Sequence, residues 1–400
     1  MRVLIFAPNA GVSLSTGGGT NFVLKQADIL SELGHEVTIA GYHALTPTEL
    51  ELIHGIPLLH RSPNQPIRVI GSISDAAFNV ARESRGKISP YFVLLDPRFG
   101  RWMRRVVTMV DPQLVWFHDD IPKAVVPSLG NRRVIVYVHY PLEARNTGTP
   151  KLANNMVTTS ERIIRRSLTC LSPKIVSPLS SDFIEMVWAN SSVTRRVLGQ
   201  FLGVKAEYIP TYIDPVQSVC AGELKLDRVL SIGAFQRAKE QELLIRALAV
   251  PAAHGYRTTI DLVGNMRDSA YLEELKGEAK KGDGALVKFH VDASRKELEE
   301  TLRESSVYVH CAEFEPFGLS VLEAMARGMI AIVRLGPWSG PWLDIVEEGT
   351  WGEGFSTPSE LREILLDKLP KVAGDLSKKS LKRSAAFSRD RLKQSLERVM

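Results

Sequence analysis

Short runs that are apolar at nearly every position, separated by helix-length stretches, recur through almost all of this 400-residue chain. In the first half they read RVLIFAP, HEVTIAGY, PIRVIGS, QLVWFHDD, RVIVYVHYP and IEMVWANS. In the second they read DRVLSIGAF, TTIDLVGN, LVKFHVD, SVYVHCAE and MIAIVRLG. A strand that is apolar throughout, not only at every second residue, has to be covered on both faces. Helices in the intervals, such as FVLKQADILSELG, cover it when the strands lie parallel. The length exceeds what one core usually fills, so two doubly wound α/β domains in tandem, facing a central cleft, are expected. The alternation breaks at IPTYIDPVQSVCAGELKLD (209 to 227), where prolines, a glycine and mixed polar residues make a linker. That sets an N-terminal domain over residues 1–215 and a C-terminal one over residues 216–376. The last segment, residues 377–400, is a basic helical pattern with Leu381, Ala385, Leu392 and Leu396 on one side. With no strand after it, it is expected to pack back on the N-terminal domain.

Composition narrows the partners. Apolar residues make up 44% and charged residues 24%, which excludes a disordered chain. A formal charge of +5 spread over this much surface mainly serves solubility, and no nucleic-acid partner is expected. Local clusters carry more information: RFGRWMRRVV (98 to 107) and ERIIRRSL (161 to 168) interleave arginines with large apolar side chains. Such stretches either rest peripherally on an anionic membrane or pack their apolar side on their own domain. Cys170, Cys220 and Cys311 are odd in number and widely spaced, which disfavours a disulfide framework or a zinc site. The stretch MRVLIFAPNAG reads as a first buried strand, too short for a signal or a spanning helix, and a cytoplasmic location is expected.

Open parallel sheets bind ligands beyond the carboxyl ends of their strands, so the loops that follow strands are where chemistry is sought. After the first strand, Gly17, Gly18 and Gly19 allow close backbone approach, with Thr20 or Asn21 able to cap the next helix. The spacing is not G-x-G-x-x-G, and no acidic residue follows the second strand to hold a ribose, which disfavours a dinucleotide enzyme. His118 and His139 each end a strand. His118 reads as a hydrogen-bonded structural imidazole, whereas His139, before Tyr140 and Pro141, can bond sugar hydroxyls. In VLSIGAFQRAKEQELLIRAL, Gly233 ends a strand, and Arg237 with Lys239 precede a helix, an arrangement suited to a diphosphate. In EFEPFGLSVLEAMARG (313 to 328), Phe317, Gly318 and Leu319 open a helix that can receive phosphate. Glu315 lies just before that helix and Glu323 about one turn inside it. Carboxylates beside phosphate would repel it, so both acids are assigned to hydroxyl groups.

EPFGLSVLEAMARG resembles the acidic signature of glycosyltransferase family 4, retaining sugar-nucleotide-dependent transferases of the GT-B fold with two Rossmann-like domains. The likeness runs in register through GGGTNFVLKQADILSELGHEV, YIPTYID, SIGAFQRAK, VHCAEFEPFG and SGPWLDIVEEGTWGEGF, and so covers most of the chain. VHYPLEAR, WANSSVTRRVL, GNMRD and AAFSRDRL are similar to segments of the family's GDP-mannose-dependent members. By position, the resemblance implies that Glu315 holds hydroxyls of the donor sugar and Glu323 those of the ribose. It implies that Arg237 and Lys239 bind the diphosphate, that Gly18 and Gly19 approach it from the first domain, and that His139 lies near the transferred sugar. The implied reaction moves a hexose, mannose from GDP-mannose, to a glycan acceptor that can be lipid-linked. The nucleotide sugar is a co-substrate, and no resident cofactor is implied. One departure stands out: Ala234 replaces the arginine that usually follows the family's glycine. No Asp-x-Asp occurs, so metal-independent chemistry is expected. Two other readings remain open, a sugar-nucleotide 2-epimerase of the same architecture and a non-catalytic nucleotide-sugar-binding subunit.

Overall fold

The computed structural model describes residues 1–7, 18–41, 67–71, 97–140, 176–214, 224–249, 258–282 and 284–400. The first lobe contains β1 (Arg2–Phe6), β2 (Glu36–Gly41), β3 (Arg68–Gly71), β4 (Leu114–His118), β5 (Ile121–Pro122), β6 (Arg133–Val138), β7 (Val176–Ser177), β8 (Met186–Ala189) and β9 (Glu207–Tyr208). The second contains β10 (Arg228–Ile232), β11 (Thr258–Gly264), β12 (Ala285–Val291), β13 (Val307–His310), β14 (Ile330–Arg334) and β15 (Glu353–Phe355). The first sheet runs β3-β2-β1-β4-β6-β8-β9 and the second β12-β11-β10-β13-β14-β15. Every neighbouring pair in both is parallel. Both sheets are doubly wound, with the order reversing between β1 and β4 in one and between β10 and β13 in the other.

The apolar runs behave as two-faced strands. On one face of the first sheet Val3, Ile5, Leu114, Trp116, Ile135 and Tyr137 enter one core; on the other Leu4, Phe6, Val115, Phe117, Val134 and Val136 enter a second. Each such side chain contributes about 1.5–3 kcal/mol on burial, so a polar residue at either parity would weaken the sheet. The second sheet divides its residues in the same way.

Helices α1 (Gly18–Glu32), α2 (Pro97–Val110) and α3 (Ser192–Leu202) flank the first sheet. Helices α4 (Glu242–Leu248), α5 (Ser269–Ala279), α6 (Arg295–Glu304), α7 (Leu319–Ala326), α8 (Pro358–Glu363), α9 (Leu369–Ser384) and α10 (Arg389–Glu397) follow. Their starts have identifiable causes. Ser191 caps α3 through Thr194 N, Asp268 caps α5 through Tyr271 N, and Ser294 with Glu297 closes a reciprocal box on α6.

Helix α2 shows where the two faces of the first basic stretch go. Phe99, Met103, Val106, Val107 and Val110 are buried in the lobe's own core, and Arg101, Arg104 and Arg105 point outward. Its apolar side is therefore not available to a membrane. Residues 161–168 lie outside the described residues.

The tail differs from its expected bounds. Residues 377–384 finish α9, which packs on the second lobe, with Ser377 Oγ donating to the Gly328 carbonyl at 2.7 Å. Only α10 crosses to the first lobe. Arg389 pairs with Asp28 and Glu32 of α1, Lys393 with Glu32, and Leu392, Leu396 and Val399 join the first core. Ala385, placed on the apolar side by sequence, is exposed where the chain breaks between the two helices. The expected boundary at 215/216 falls within residues 215–223, outside the described residues. On either side of it, Lys25 of α1 donates to the Tyr212 carbonyl and pairs with Asp214, and Ile213 N donates to the Phe387 carbonyl. The two passages between lobes are thus bonded to each other and anchored on α1.

Candidate active site

The second lobe's half of the site lies at the reversal between β10 and β13. Beyond β10, Gly233 leads into a short 3-10 turn, Arg237–Lys239; beyond β13 the chain runs to Glu315 and the start of α7. The Lys239 ammonium donates to Glu315 Oε2 at 2.6 Å, and both side chains are only 19% exposed. A Cβ at Gly233 would stand 3.4 Å from Lys239 Cγ, so the glycine leaves the lysine stem room to lie along the strand end. His310, the last residue of β13, is buried with Nε2 3.8 Å from the same Glu315 oxygen. Burial would push the Glu315 carboxyl up, but Lys239 and His310 outweigh it and hold it below the usual carboxylate range. Burial pushes the His310 imidazole down to about 4, so it is neutral near pH 7.

Two constraints hold this geometry. Glu240, directly after Lys239, has φ +47, and its carboxylate accepts from the Glu313 amide at 2.9 Å, tying the lysine turn to the Glu315 loop. Gly318 caps α7 with φ +92, and any Cβ there would meet Pro341 Cγ at 2.5 Å, so only glycine fits. Val321 and Leu322 donate back to the Gly318 carbonyl, which leaves the Leu319 and Ser320 amides outside the helical ladder. Glu323 sits half-buried one turn in. It and Glu315 are both close enough to push up the Tyr308 phenol, which burial raises most. Phe317 is buried in the core beneath the turn.

Arg237 is not brought to this cluster. Its guanidinium faces the other way and forms a two-point ion pair with Glu274 of α5, one arm at 2.7 Å, beside Asp268. A bidentate carboxylate is the stronger local partner for a planar guanidinium. The joint role expected of Arg237 and Lys239 is therefore not displayed by these side chains. On that outer side Arg237, Tyr271, Glu274, Arg246 and Phe314 line a cleft of about 690 Å³.

The first lobe's half is built from neutral rings. Gly18 and Gly19 open α1 next to the reversal between β1 and β4, and residues 8–17 of the glycine-rich loop lie outside the described residues. His139, just past β6, shares a 3.2 Å bond from Nε2 to His118 Nδ1, and His118 Nε2 bonds Gln26 Oε1 of α1 at 2.9 Å. Burial, then the neighbouring ring, pushes the His118 imidazole well down; burial also lowers His139, partly offset by Asp119. Asp119, at φ +66, accepts from the His139 and Tyr140 amides at 2.7 and 3.1 Å, and Thr194 of α3 donates to the His139 carbonyl at 2.8 Å. His118 is thus hydrogen-bonded through both ring nitrogens, one of them to His139.

The halves touch. Tyr140 meets Phe314 edge-on at 5.3 Å, the Ser192 amide at the start of α3 donates to Asp344 at 2.8 Å, and Arg196 donates to the Pro337 carbonyl at 2.6 Å. The 337–344 segment also exchanges backbone bonds with Glu315, through Glu315 N to Trp338 O and Gly340 N to Glu315 O. Sequence reasoning missed His310, Gln26, Asp119 and Asp344. His310 could have been found, since it ends its strand just as His118 and His139 end theirs; the others sit in patterns with no local signal. Among the described residues no group of three or more His, Cys, Asp or Glu could hold a metal, and no helix is long and apolar enough to cross a membrane.

Two doubly wound parallel sheets flanked by helices, in lobes that touch through Tyr140–Phe314, Ser192–Asp344 and Arg196–Pro337, have the GT-B architecture. Solved structures agree on the fold: sucrose-phosphate synthase from Thermosynechococcus elongatus superposes with a TM-score of 0.68 at 18% identity, covering 100% of this chain and 98% of that one. Anabaena HepE in complex with UDP and glucose gives 0.62 at 16% identity, covering 100% and 99%. Residues 223–374 match the family model described as Glycosyl transferases group 1. Among curated relatives, a GDP-Man:Man(3)GlcNAc(2)-PP-Dol alpha-1,2-mannosyltransferase of Neurospora crassa is 31% identical over 311 residues, 65% of this chain and 54% of the relative. The protein of the same name from Dictyostelium discoideum is 26% identical over 269 residues, 59% and 52%. The chain spans about half the length of these relatives.

Proposed function

We propose that the protein is a retaining glycosyltransferase that moves a hexose, mannose from GDP-mannose, to a glycan acceptor that is lipid-linked. The observation that carries this reading is the buried Lys239–Glu315 pair in front of the α7 N-terminus. A nucleotide sugar arriving there trades one ion pair for two contacts: Lys239 turns to the diphosphate, and Glu315 accepts from hydroxyls of the sugar. The bond between the anomeric carbon and the β-phosphate oxygen breaks, a bond from the acceptor oxygen to that carbon forms, and the acceptor's proton leaves with the phosphate or to solvent. Negative charge grows on the departing phosphate, where Lys239 and the Leu319 and Ser320 amides stabilise it. Glu323 holds the ribose, and His139 faces the sugar from the first lobe. The reaction needs no metal, so chelation with EDTA is expected to leave the rate unchanged.

The donor and acceptor follow the names of the curated relatives, and the test is transfer of labelled mannose from GDP-mannose to a lipid-linked glycan. Absence of transfer to any glycan acceptor, with donor binding intact, would favour a second reading, a nucleotide-sugar-binding subunit. Ala234 and the engagement of Arg237 with Glu274 favour that alternative. Contact with an anionic membrane rests on the outward arginines of α2 alone, and is expected as liposome retention at low salt that is lost at high salt.

A further inference from the structure

A 3.2 Å bond between two imidazoles requires one nitrogen to donate and the other to accept. Two protonated rings at that distance would repel, and both are held neutral by burial. Which ring donates is decided one step further back. Gln26, fully buried on α1, presents its carbonyl oxygen Oε1 to His118 Nε2 at 2.9 Å. An amide oxygen only accepts, so His118 Nε2 carries the hydrogen and His118 Nδ1 is bare. His139 Nε2 must then donate into it, and the lone pair of His139 is left on Nδ1. Asp119, whose charge acts on this ring, spends its Oδ1 on the backbone amides of His139 and Tyr140. Turning the Gln26 amide over would reverse every step and leave His139 Nδ1 as a donor.

We infer that Gln26 and His118 are positioning residues that fix His139 with a bare Nδ1, making it an acceptor for a sugar hydroxyl and not a source of protons. This rests on the proposed sugar-transfer reading for the identity of the ligand, but not for the tautomers. In that orientation Gln26 Nε2 has no partner among the described residues, and the reversed one would orphan Oε1 instead, so the inferred polarity follows the Gln26 orientation and is read directly by the test.

The test is nitrogen NMR of the full chain labelled in histidine, with resonances assigned by His118→Asn and His139→Asn. The expected result is Nε2–H with bare Nδ1 on both rings. Gln26→Leu, which neither donates nor accepts at this position, should give mixed tautomers on both. In mannose transfer, Gln26→Leu is expected to lower kcat about tenfold, the worth of roughly one hydrogen bond, with little change in KM. A protonated Nδ1 on His139, or tautomers indifferent to Gln26→Leu, would overturn the relay. If the spectra agree but the wild-type protein transfers no sugar, the relay stands and the proposed function fails.

Discussion

The carboxyl ends of β4 and β6 carry imidazoles kept neutral by burial, whereas those of β10 and β13 are served by an ion pair with a neutral imidazole at its edge. Both lobes have the same parallel, doubly wound order, so backbone topology does not set this difference. On the proposed reading it matches what each half would meet. Neutral imidazoles can bond a sugar's hydroxyl groups without adding charge, while in the second lobe the Lys239 cation suits a diphosphate and the two acids suit hydroxyl groups. The common sheet fixes where loops emerge, and the chemistry of each half is written in the residues just past the strand ends.

The largest effect that would sharpen the contrast is on Lys239. Lys239→Ala leaves Glu315 buried without its cation, so a loss of stability of about 3–5 kcal/mol is expected in denaturant unfolding. A fall in kcat by roughly a hundredfold to a thousandfold is expected alongside it. Lys239→Met combined with Glu315→Leu should recover most of the stability and none of the turnover. Equal stability of Lys239→Ala and wild type would mean that the second lobe does not depend on its ion pair.

A smaller effect tests the neutral imidazole of that lobe. His310 is held at about 4 against an unfolded value near 6.5, so the unfolded chain binds its proton first. Its stabilisation is complete above pH 6.5 and falls away between pH 6.5 and about 4, by on the order of 3 kcal/mol. Glu315, with a lowered pKa, adds a loss at still lower pH as it protonates. Unfolding free energies between pH 7 and pH 4 should therefore slope less steeply in His310→Asn than in wild type. The smallest effect concerns the joint between lobes: Asp344→Ala removes the carboxylate that accepts from Ser192 at the start of α3. The expected cost is about 1 kcal/mol, the usual worth of a helix cap, read as a lower melting temperature.

Sheets were the most legible part of the chain, because a strand buried on both faces leaves a long unbroken apolar record. The short β9 and β15 left none, since two or three residues carry no periodicity. Lys239, Glu315 and Gly318 could be assigned to the ligand side of the second lobe because each lies just past a strand, and the family resemblance brought them to one ligand. Arg237 could not be placed, because its direction depends on Glu274, 37 residues away on another helix. Gln26 and Asp344 were invisible for the same reason. A glutamine inside an amphipathic helix looks like any other, and only the folded chain puts it beside a histidine 92 positions later.

Calorimetric titration of GDP-mannose into the wild-type protein and into Glu323→Ala examines the grip on a nucleotide sugar most directly. One site per chain is expected for the wild type, with affinity at least about tenfold weaker once the ribose ligand is gone, roughly 1.4 kcal/mol. No binding by the wild type, or equal binding by both proteins, would contradict the account.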